Sequence, residues 1–188
     1  MIAAHEMGLA DRIDTVRTIV GGTTPHAALM AINPLGKIPT LELADGTVIY
    51  DSPVVIEYLD TLHEGPKLYP PAWPERLIAL RRHALGQGML DSALALLSEG
   101  FRPEERRSEP HIALWTAKLR ASVDALEREA LGDSRFNIGH LAIGVALAYL
   151  DFRFAALAWR DGHPRLVAWQ EIFNARASVV ANAVVDDR

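Results

Sequence analysis

The sequence predicts two domains, an α/β domain followed by an all-α domain. The first 63 residues contain β-branched runs and an Asp-Gly turn between two extended segments, which is typical of strands and a hairpin. Beyond the Pro-rich segment that follows, apolar residues recur only at helical spacing. We therefore predict an α/β domain over residues 1–64, a linker over 65–73 and a helical domain over 74–188.

Composition limits the classes of function. The chain has 188 residues, 49% of them hydrophobic, and a formal net charge of −5, which is typical of folded domains. Basic residues form no cluster longer than Arg81-Arg82 or Arg106-Arg107, so nucleic acid is not an expected partner. The absence of cysteine excludes thiolate zinc sites and a cysteine nucleophile within these residues. No secretory signal or membrane span is apparent, and we expect a soluble, cytoplasmic protein.

The start of the first domain is expected to alternate helix and strand. Ile2–Gly8 resembles the last turns of a helix, closed by a glycine that tolerates the left-handed conformation. The β-branched run Ile13–Val20 predicts a strand. Thr24 and Pro25 predict the N-cap and first residue of a short helix that runs towards Ala31.

The rest of this domain is expected to contain a turn, a hairpin and a helix. Asn33–Pro39 is a turn, because its prolines and glycine cannot continue a helix. Thr40–Leu43 and Thr47–Tyr50 predict two strands joined by an Asp-Gly turn. An Asp-Ser-Pro segment then begins a predicted helix over Pro53–His63.

The second domain is expected to be a helical bundle. The first of its helices is interrupted by Gly86 and Gly88, and the third is apolar nearly all round, which indicates a central position. The four tryptophans are expected in the core. The predicted helices are Pro74–Gly100, Glu109–Ala130, Asn137–Trp159 and Pro164–Ala181, and the tryptophans are Trp73, Trp115, Trp159 and Trp169.

These elements, in this order, resemble a cytosolic glutathione S-transferase over essentially the whole chain. The specific motifs are Asn-Pro-x-Gly-Lys-Ile-Pro at 33–39 and Asp-Ser-Pro at 51–53, followed by the Pro-rich linker and the bundle. The Asn137 helix and the segment Tyr149–Arg153 most resemble a bacterial, YibF-like branch. The resemblance implies a thioredoxin-like α/β domain plus an all-α helical bundle.

The resemblance also implies a glutathione site. Ile38-Pro39 would be a cis-proline turn that leaves the Ile38 backbone free to pair with the cysteinyl backbone of glutathione. Ser52, at a helix N-terminus, would bind the γ-glutamyl carboxylate. Asp51 would hold the α-amino group or organise the turn, and Lys37 would approach the glycyl carboxylate.

The same residues also have simpler interpretations. Most X-Pro bonds are trans, so Ile38-Pro39 on its own predicts a plain loop. Asp51 or Ser52 could merely cap the helix, and Lys37 could be a solvated turn residue.

One expected segment is not found in the sequence. The α/β domain of the family begins with a strand and a loop whose Ser, Tyr or Cys activates the glutathione sulfur. The sequence starts inside the helix that follows this loop, so we expect the natural product to begin about 15 residues upstream. The catalytic residue is therefore unknown from the sequence.

The implied function is transfer of the glutathione thiolate to a hydrophobic electrophile, as in detoxification, with glutathione as co-substrate and no metal. A homodimer is implied through helices Pro53–His63 and Pro74–Gly100. Two alternatives remain open: a non-catalytic binding or interaction module, and a disulfide-reducing or glutathionyl-removing enzyme, which needs a cysteine upstream. The residues that could line a substrate cleft are Arg81, Arg82, Met89, Arg102 and Tyr149.

The start of the central helix departs from the pattern of the family. There a Ser or Thr cap is followed three residues later by Asp, whereas this chain has Asn137 and His140, with Phe136 and Leu141 spaced as a hydrophobic staple. A neutral imidazole cannot repeat the interaction of a carboxylate with the helix dipole. We expect His140 to affect folding or stability rather than chemistry. The seven histidines show no metal-binding pattern.

Overall fold

The computed structural model describes residues 1–21, 23–129 and 131–184. The chain divides into two compact units, residues 1–68 and 69–188. The first unit combines short helices with a two-stranded sheet and the second is helical, which confirms the predicted fold class. Within the described ranges, no helix is both long and apolar enough to cross a membrane.

The first unit begins with the predicted short helix. Its chain leaves the helix through Gly8, whose φ of +67° is the left-handed conformation that was expected. Ala3 and Ala4 are buried on the inner face of this helix. The elements of the unit are α1 (Ile2–Glu6), α2 (Ala27–Ile32), β1 (Leu41–Glu42), β2 (Val48–Ile49) and α3 (Ser52–Asp60).

The predicted strand over Ile13–Val20 is wrong. These residues belong to no helix or strand, and the side chain of Val16 is 87% exposed. A strand satisfies its backbone groups only by pairing with a neighbouring strand, and among the described residues the one sheet consists of β1 and β2 and does not include this segment. High β-propensity alone therefore leaves it as irregular chain.

The predicted start of α2 is also wrong. His26, not Thr24, is the N-cap, and its Nδ1 accepts a hydrogen bond from the Leu29 N–H at 3.1 Å. The helix therefore begins after Pro25, at Ala27, and ends at Ile32. An imidazole nitrogen can replace the usual hydroxyl because it satisfies the same unpaired helix donor.

The hairpin is confirmed, although its strands are shorter than predicted. Leu41 lies opposite Ile49 in an antiparallel pair. Gly46 supplies the turn with a φ of +85°, and Asp45 Oδ1 accepts from the Thr47 N–H at 2.9 Å. These contacts explain why Asp-Gly gives a tight connection here.

Helix α3 ends at Asp60, three residues before the predicted His63. The buried Asp60 carboxylate lies 3.0 Å from His63 Nε2 and accepts from the Leu68 N–H at 2.9 Å. Lys67 Nζ donates to the carbonyls of Asp60 and His63. These bonds fold the chain back under the helix, and they could not be read from periodicity.

In the second unit, the first helix is continuous across Gly86 and Gly88, contrary to the predicted interruption. A Cβ at Gly86 would lie 2.6 Å from the backbone of Ala142, so this glycine allows close approach of the central helix. The helices are α4 (Glu75–Gly100), α5 (Glu109–Arg128), α6 (Ile138–Arg153), α7 (Pro164–Asn174) and α8 (Ala177–Val180).

Two helix ends of the second unit differ from the predictions, and a third is not tested. The predicted end of α5 at Ala130 lies outside the described residues. Helix α6 ends at Arg153, before the predicted Trp159. The chain then turns back, and Trp159 Nε1 and Arg160 Nη2 each donate to the Asp151 carboxylate at 2.7 Å. The predicted last helix is split into α7 and α8, since Arg176 has extended backbone.

The core of the second unit consists of apolar side chains from α4, α5, α6 and α7, together with Leu131, Leu157 and Trp159 from the connections between them. Met89 belongs to this core, and Arg82 is also buried, so neither is an exposed side chain available to line a cleft. Trp159 is buried as predicted, whereas Trp73 is 63% exposed. Trp73 precedes α4 and is not on the buried face of any helix, which is why the prediction failed there.

Candidate functional site

The Asn33 loop, residues 33–40, is organised by one buried side chain. The Nδ2 group of Asn33 donates to the Lys37 carbonyl and to Thr40 Oγ1, both at 3.0 Å. Its Oδ1 accepts from the Leu35 N–H at 3.0 Å, which forms an Asx turn. Gly36 completes the turn with a φ of +59°. The loop is therefore held by its own polar groups.

The peptide at Ile38 is left available by this arrangement. The Ile38–Pro39 bond is cis, as the resemblance implied. The Ile38 side chain is 52% exposed, and its backbone N–H and C=O form no hydrogen bond with any described residue. A free donor and acceptor on one residue can pair with an extended backbone.

The start of α3 is the second part of the site. Asp51 is the N-cap residue, and its carbonyl accepts from the Val55 N–H at 3.0 Å. Its exposed carboxylate forms no capping bond, and the N–H groups of Ser52 and Val54 have no acceptor among the described residues. The simpler interpretation, in which the Asp51 side chain caps the helix, is therefore wrong, and the helix start keeps unpaired donors that favour an anion.

The hairpin brings the two parts to the same end. Leu41 is paired with Ile49, Ile38 lies three residues before Leu41, and Ser52 lies three residues after Ile49. Because the strands are antiparallel, the chain enters β1 and leaves β2 at one end. Lys37 is exposed at this end and contributes a cation, and Asp51 contributes an anion.

The sequence analysis missed Asn33 and Thr40 as organisers of this loop. A usable signal was present, since Asn directly after a helix and before Pro favours an Asx turn. The contact with Thr40 spans seven residues and could not be read from local pattern. No group of three or more metal-ligating side chains is found in the described ranges.

The second unit contains a contrasting polar centre, the His140 cluster, formed by His140, Arg82, Glu129, Phe136 and Trp169. His140 Nδ1 accepts from the Asn137 N–H at 3.1 Å, so the capping box is complete despite the missing acid. Its other nitrogen, Nε2, must then carry the proton, and it donates to a backbone carbonyl, that of Leu131, at 2.9 Å.

Burial keeps this imidazole neutral. His140 is 2% exposed, and Arg82 Nη1 lies 3.1 Å from its Nε2. Burial, and then the Arg82 guanidinium, lower the pKa of His140 to about 4. Glu129 accepts from Arg82 Nε at 2.7 Å and so balances that charge. The rings of Phe136 and Trp169 lie beside the imidazole at centroid distances of 5.9 and 6.1 Å.

Comparison with known proteins identifies the family. Residues 1–62 match the family model for the glutathione S-transferase N-terminal domain, and residues 109–170 match that for the C-terminal domain. The chain is 33% identical over 150 residues to YibF of Escherichia coli K12, an uncharacterized GST-like protein, covering 78% of this chain and 74% of YibF. The chain belongs to the glutathione S-transferase family. The match to YibF also supports the bacterial, YibF-like branch of this family, which the sequence indicated.

Solved glutathione S-transferases share the fold. A glutathione transferase family member of Pseudomonas fluorescens Pf-5, with bound glutathione, is 37% identical, covers 96% of this chain and 89% of its own, and has a TM-score of 0.93. A glutathione S-transferase of Methylobacillus flagellatus KT, also with glutathione bound, is 31% identical over 98% of this chain and 92% of its own, with a TM-score of 0.85. The resemblance seen in the sequence and its implied fold class are thus confirmed.

Proposed function

We propose that the protein is a glutathione transferase that binds glutathione at the hairpin end formed by the Asn33 loop and the start of α3. The observation that carries this proposal is the unbonded backbone of Ile38 at the same end as the uncapped helix start at Ser52. Membership in the family and the glutathione-bound structural relatives support it.

The ligand chemistry fits a tripeptide with charged ends. The Ile38 N–H and C=O pair with the cysteinyl backbone, as a peptide adds to a strand edge. The Ser52 hydroxyl and the unpaired N–H groups of α3 take the γ-glutamyl carboxylate, since a helix N-terminus favours an anion. Pro39 holds the turn that presents Ile38.

Two exposed charges complete the match. The carboxylate of Asp51 is free of capping bonds and attracts the α-amino group of glutathione. The ammonium of Lys37 attracts the glycyl carboxylate at the other end of the tripeptide. One anion and one cation at the site therefore select a ligand that carries both charges.

The reaction is nucleophilic transfer. Glutathione loses its thiol proton to solvent, the thiolate sulfur forms a bond to an electrophilic carbon, and the group displaced there leaves with the bonding electrons. We propose further that the electrophile is hydrophobic and that the reaction serves detoxification. The proposal also includes assembly as a homodimer and a cytoplasmic location. None of the five binding residues is assigned to activation of the thiol.

Calorimetric titration of the full chain with glutathione tests the binding. Ser52→Ala removes a hydrogen bond to a charged group, worth about 1.5–3 kcal/mol, so we expect the dissociation constant to rise about tenfold or more. Ser98→Ala is the matched control, because Ser98 is exposed on α4 and its hydroxyl donates to the Leu94 carbonyl of its own helix. Equal affinities of both variants would contradict the proposed site.

Turnover assays then separate the proposed enzyme from a binding module. We expect glutathione-dependent loss of an aromatic halide electrophile, with Ser52→Ala raising KM for glutathione more than it lowers kcat. Glutathione binding without turnover in conjugation, thiol-transfer and peroxide assays would instead favour the non-catalytic module.

A further inference from the structure

We infer that Asn33 is a positioning residue of the glutathione site, which orients the Ile38 N–H without contacting the ligand. This inference rests on the proposed function. Asn33 is 0% exposed, and no ligand outside the fold can reach a side chain buried to this degree. Any influence on binding must pass through the groups to which Asn33 is bonded.

Every polar group of Asn33 is committed to the loop. The side-chain amide uses both donors and its acceptor, towards Lys37, Thr40 and Leu35. The backbone N–H donates to the Leu29 carbonyl at 2.8 Å, and the backbone C=O accepts from the Gly36 N–H at 2.8 Å. Asn33 thus ties the end of α2, the turn and the approach to β1 together.

The decisive contact is at the Lys37 carbonyl. This oxygen accepts from Asn33 Nδ2 at 3.0 Å and from Thr40 Oγ1 at 2.9 Å, so both of its lone pairs are used inside the loop. The Lys37 carbonyl and the Ile38 N–H belong to one trans peptide unit, in which C=O and N–H point in opposite directions. Holding the carbonyl inward therefore turns the Ile38 N–H outward.

The chemistry of the amide explains why this position requires Asn. Asn33→Asp keeps the acceptor for the Leu35 N–H but replaces two donors by an acceptor. A carboxylate oxygen would then face the Lys37 carbonyl and repel it. Rotation of the Lys37–Ile38 peptide relieves this repulsion and turns the Ile38 N–H towards the new carboxylate, away from the ligand.

The first test is the dissociation constant for glutathione in calorimetric titrations at constant stoichiometry. We expect Asn33→Asp to weaken binding about tenfold, as for loss of one well-oriented hydrogen bond. Asn174→Asp is the matched control, because Asn174 is exposed and its Oδ1 accepts from Gln170 Nε2, which an Asp carboxylate can also do. Unchanged affinity in folded Asn33→Asp, while wild type binds glutathione, would overturn the inference and leave the proposed function intact.

Double-mutant cycles distinguish positioning from general destabilisation. Thr40→Val removes the second donor to the same carbonyl, and we expect its effect on affinity to be non-additive with that of Asn33→Asp. Thr40→Ser keeps the hydroxyl and should recover most of the affinity that Thr40→Val loses. Ser52→Ala acts at the other part of the site and should add to Asn33→Asp, whereas strong coupling to Ser52 would contradict the inference.

A readout without ligand keeps the test independent of glutathione binding. Amide hydrogen exchange should be fast at Ile38 in the wild-type protein and slower in Asn33→Asp, where the N–H faces a carboxylate. If Asn33→Asp does not fold, the Thr40→Val and Thr40→Ser pair gives the same comparison. A protected Ile38 amide in the wild-type protein would overturn the inference even if no glutathione binds.

Discussion

The Asn33 loop and the His140 cluster each depend on one buried polar side chain, but they use it differently. The side chain of Asn33 bonds within its own loop, and the backbone N–H and C=O of Ile38 nearby have no hydrogen-bond partner among the described residues. His140 caps its own helix and binds the Leu131 carbonyl, inside a shell of aromatic rings and a guanidinium. In the first arrangement, backbone groups next to the buried side chain remain exposed. In the second, both ring nitrogens of His140 bond to groups inside the domain.

The difference shows that a buried polar residue has no fixed role. What matters is whether the groups next to it remain accessible after its own bonds are made. Beside Asn33 they remain accessible, so we expect substitutions there to act mainly on ligand affinity. Around His140 the neighbouring polar groups are not accessible, so we expect substitutions there to act mainly on the free energy of unfolding.

The largest expected effect is at His140. His140→Ala removes a buried ring and leaves the Asn137 N–H and the Leu131 carbonyl unpaired, which should lower the free energy of unfolding by about 3 kcal/mol. Urea unfolding measures this loss, and His111→Ala is the control because His111 is exposed. Glutathione affinity of the folded variant should stay within about twofold, and a large loss of affinity would break the comparison.

The next effect is a pH dependence specific to the same cluster. The pKa of His140 falls from its ordinary value of 6.5 to about 4 in the folded chain, so between these values the unfolded chain binds more protons. Stability therefore falls as the pH decreases through this window, by up to about 3 kcal/mol at about 1.36 kcal/mol per unit.

His140→Gln isolates this contribution. Gln can still accept from the Asn137 N–H, as in a capping box, but it does not titrate. Urea unfolding at pH 7 and at pH 4.5 should show a smaller decrease for His140→Gln than for the wild-type chain. His5→Gln, at an exposed position in α1, should behave as wild type. Parallel decreases in His140→Gln and wild type would show that other groups cause the acid sensitivity.

The smallest effect is expected at Ile38 itself. Because its backbone rather than its side chain is proposed to bind, Ile38→Ala should weaken glutathione binding by less than about threefold. The side chain is half exposed, so little packing is lost. Calorimetric titration beside Ser52→Ala sharpens the contrast, and a loss as large as that of Ser52→Ala would show that the side chain contacts the ligand.

Much of the fold followed from local pattern. The Asp-Gly hairpin, the turn after α2 and the long helices α4, α5 and α6 were predicted because turn chemistry and helical periodicity act over a few residues. The irregular conformation of residues 13–20 was not predicted, since β-propensity indicates a strand there but strand formation also requires a partner. The cap by His26 was missed because an imidazole is an uncommon substitute for a hydroxyl.

The candidate site was predictable in part. The Asn-Pro-x-Gly-Lys-Ile-Pro and Asp-Ser-Pro motifs located Ile38 and Ser52, and the hairpin between them predicts that they share an end. The roles of Asn33 and Thr40 were not predictable, because their contacts depend on how the loop folds back. His140 was recognised as a departure, but its success as a cap depends on burial and on its tautomer.

The sequence by itself determined the family, the order of the elements and the positions of the turns, since these depend on residue type and short spacing. The tertiary structure decided which polar groups remain unpaired, because that depends on contacts between residues distant in the chain. Arg82 and Glu129 are 47 residues apart and meet beside His140, while Ile38 has no such neighbour among the described residues. Burial and pairing, rather than residue type, therefore separate the stabilising centre from the candidate binding edge.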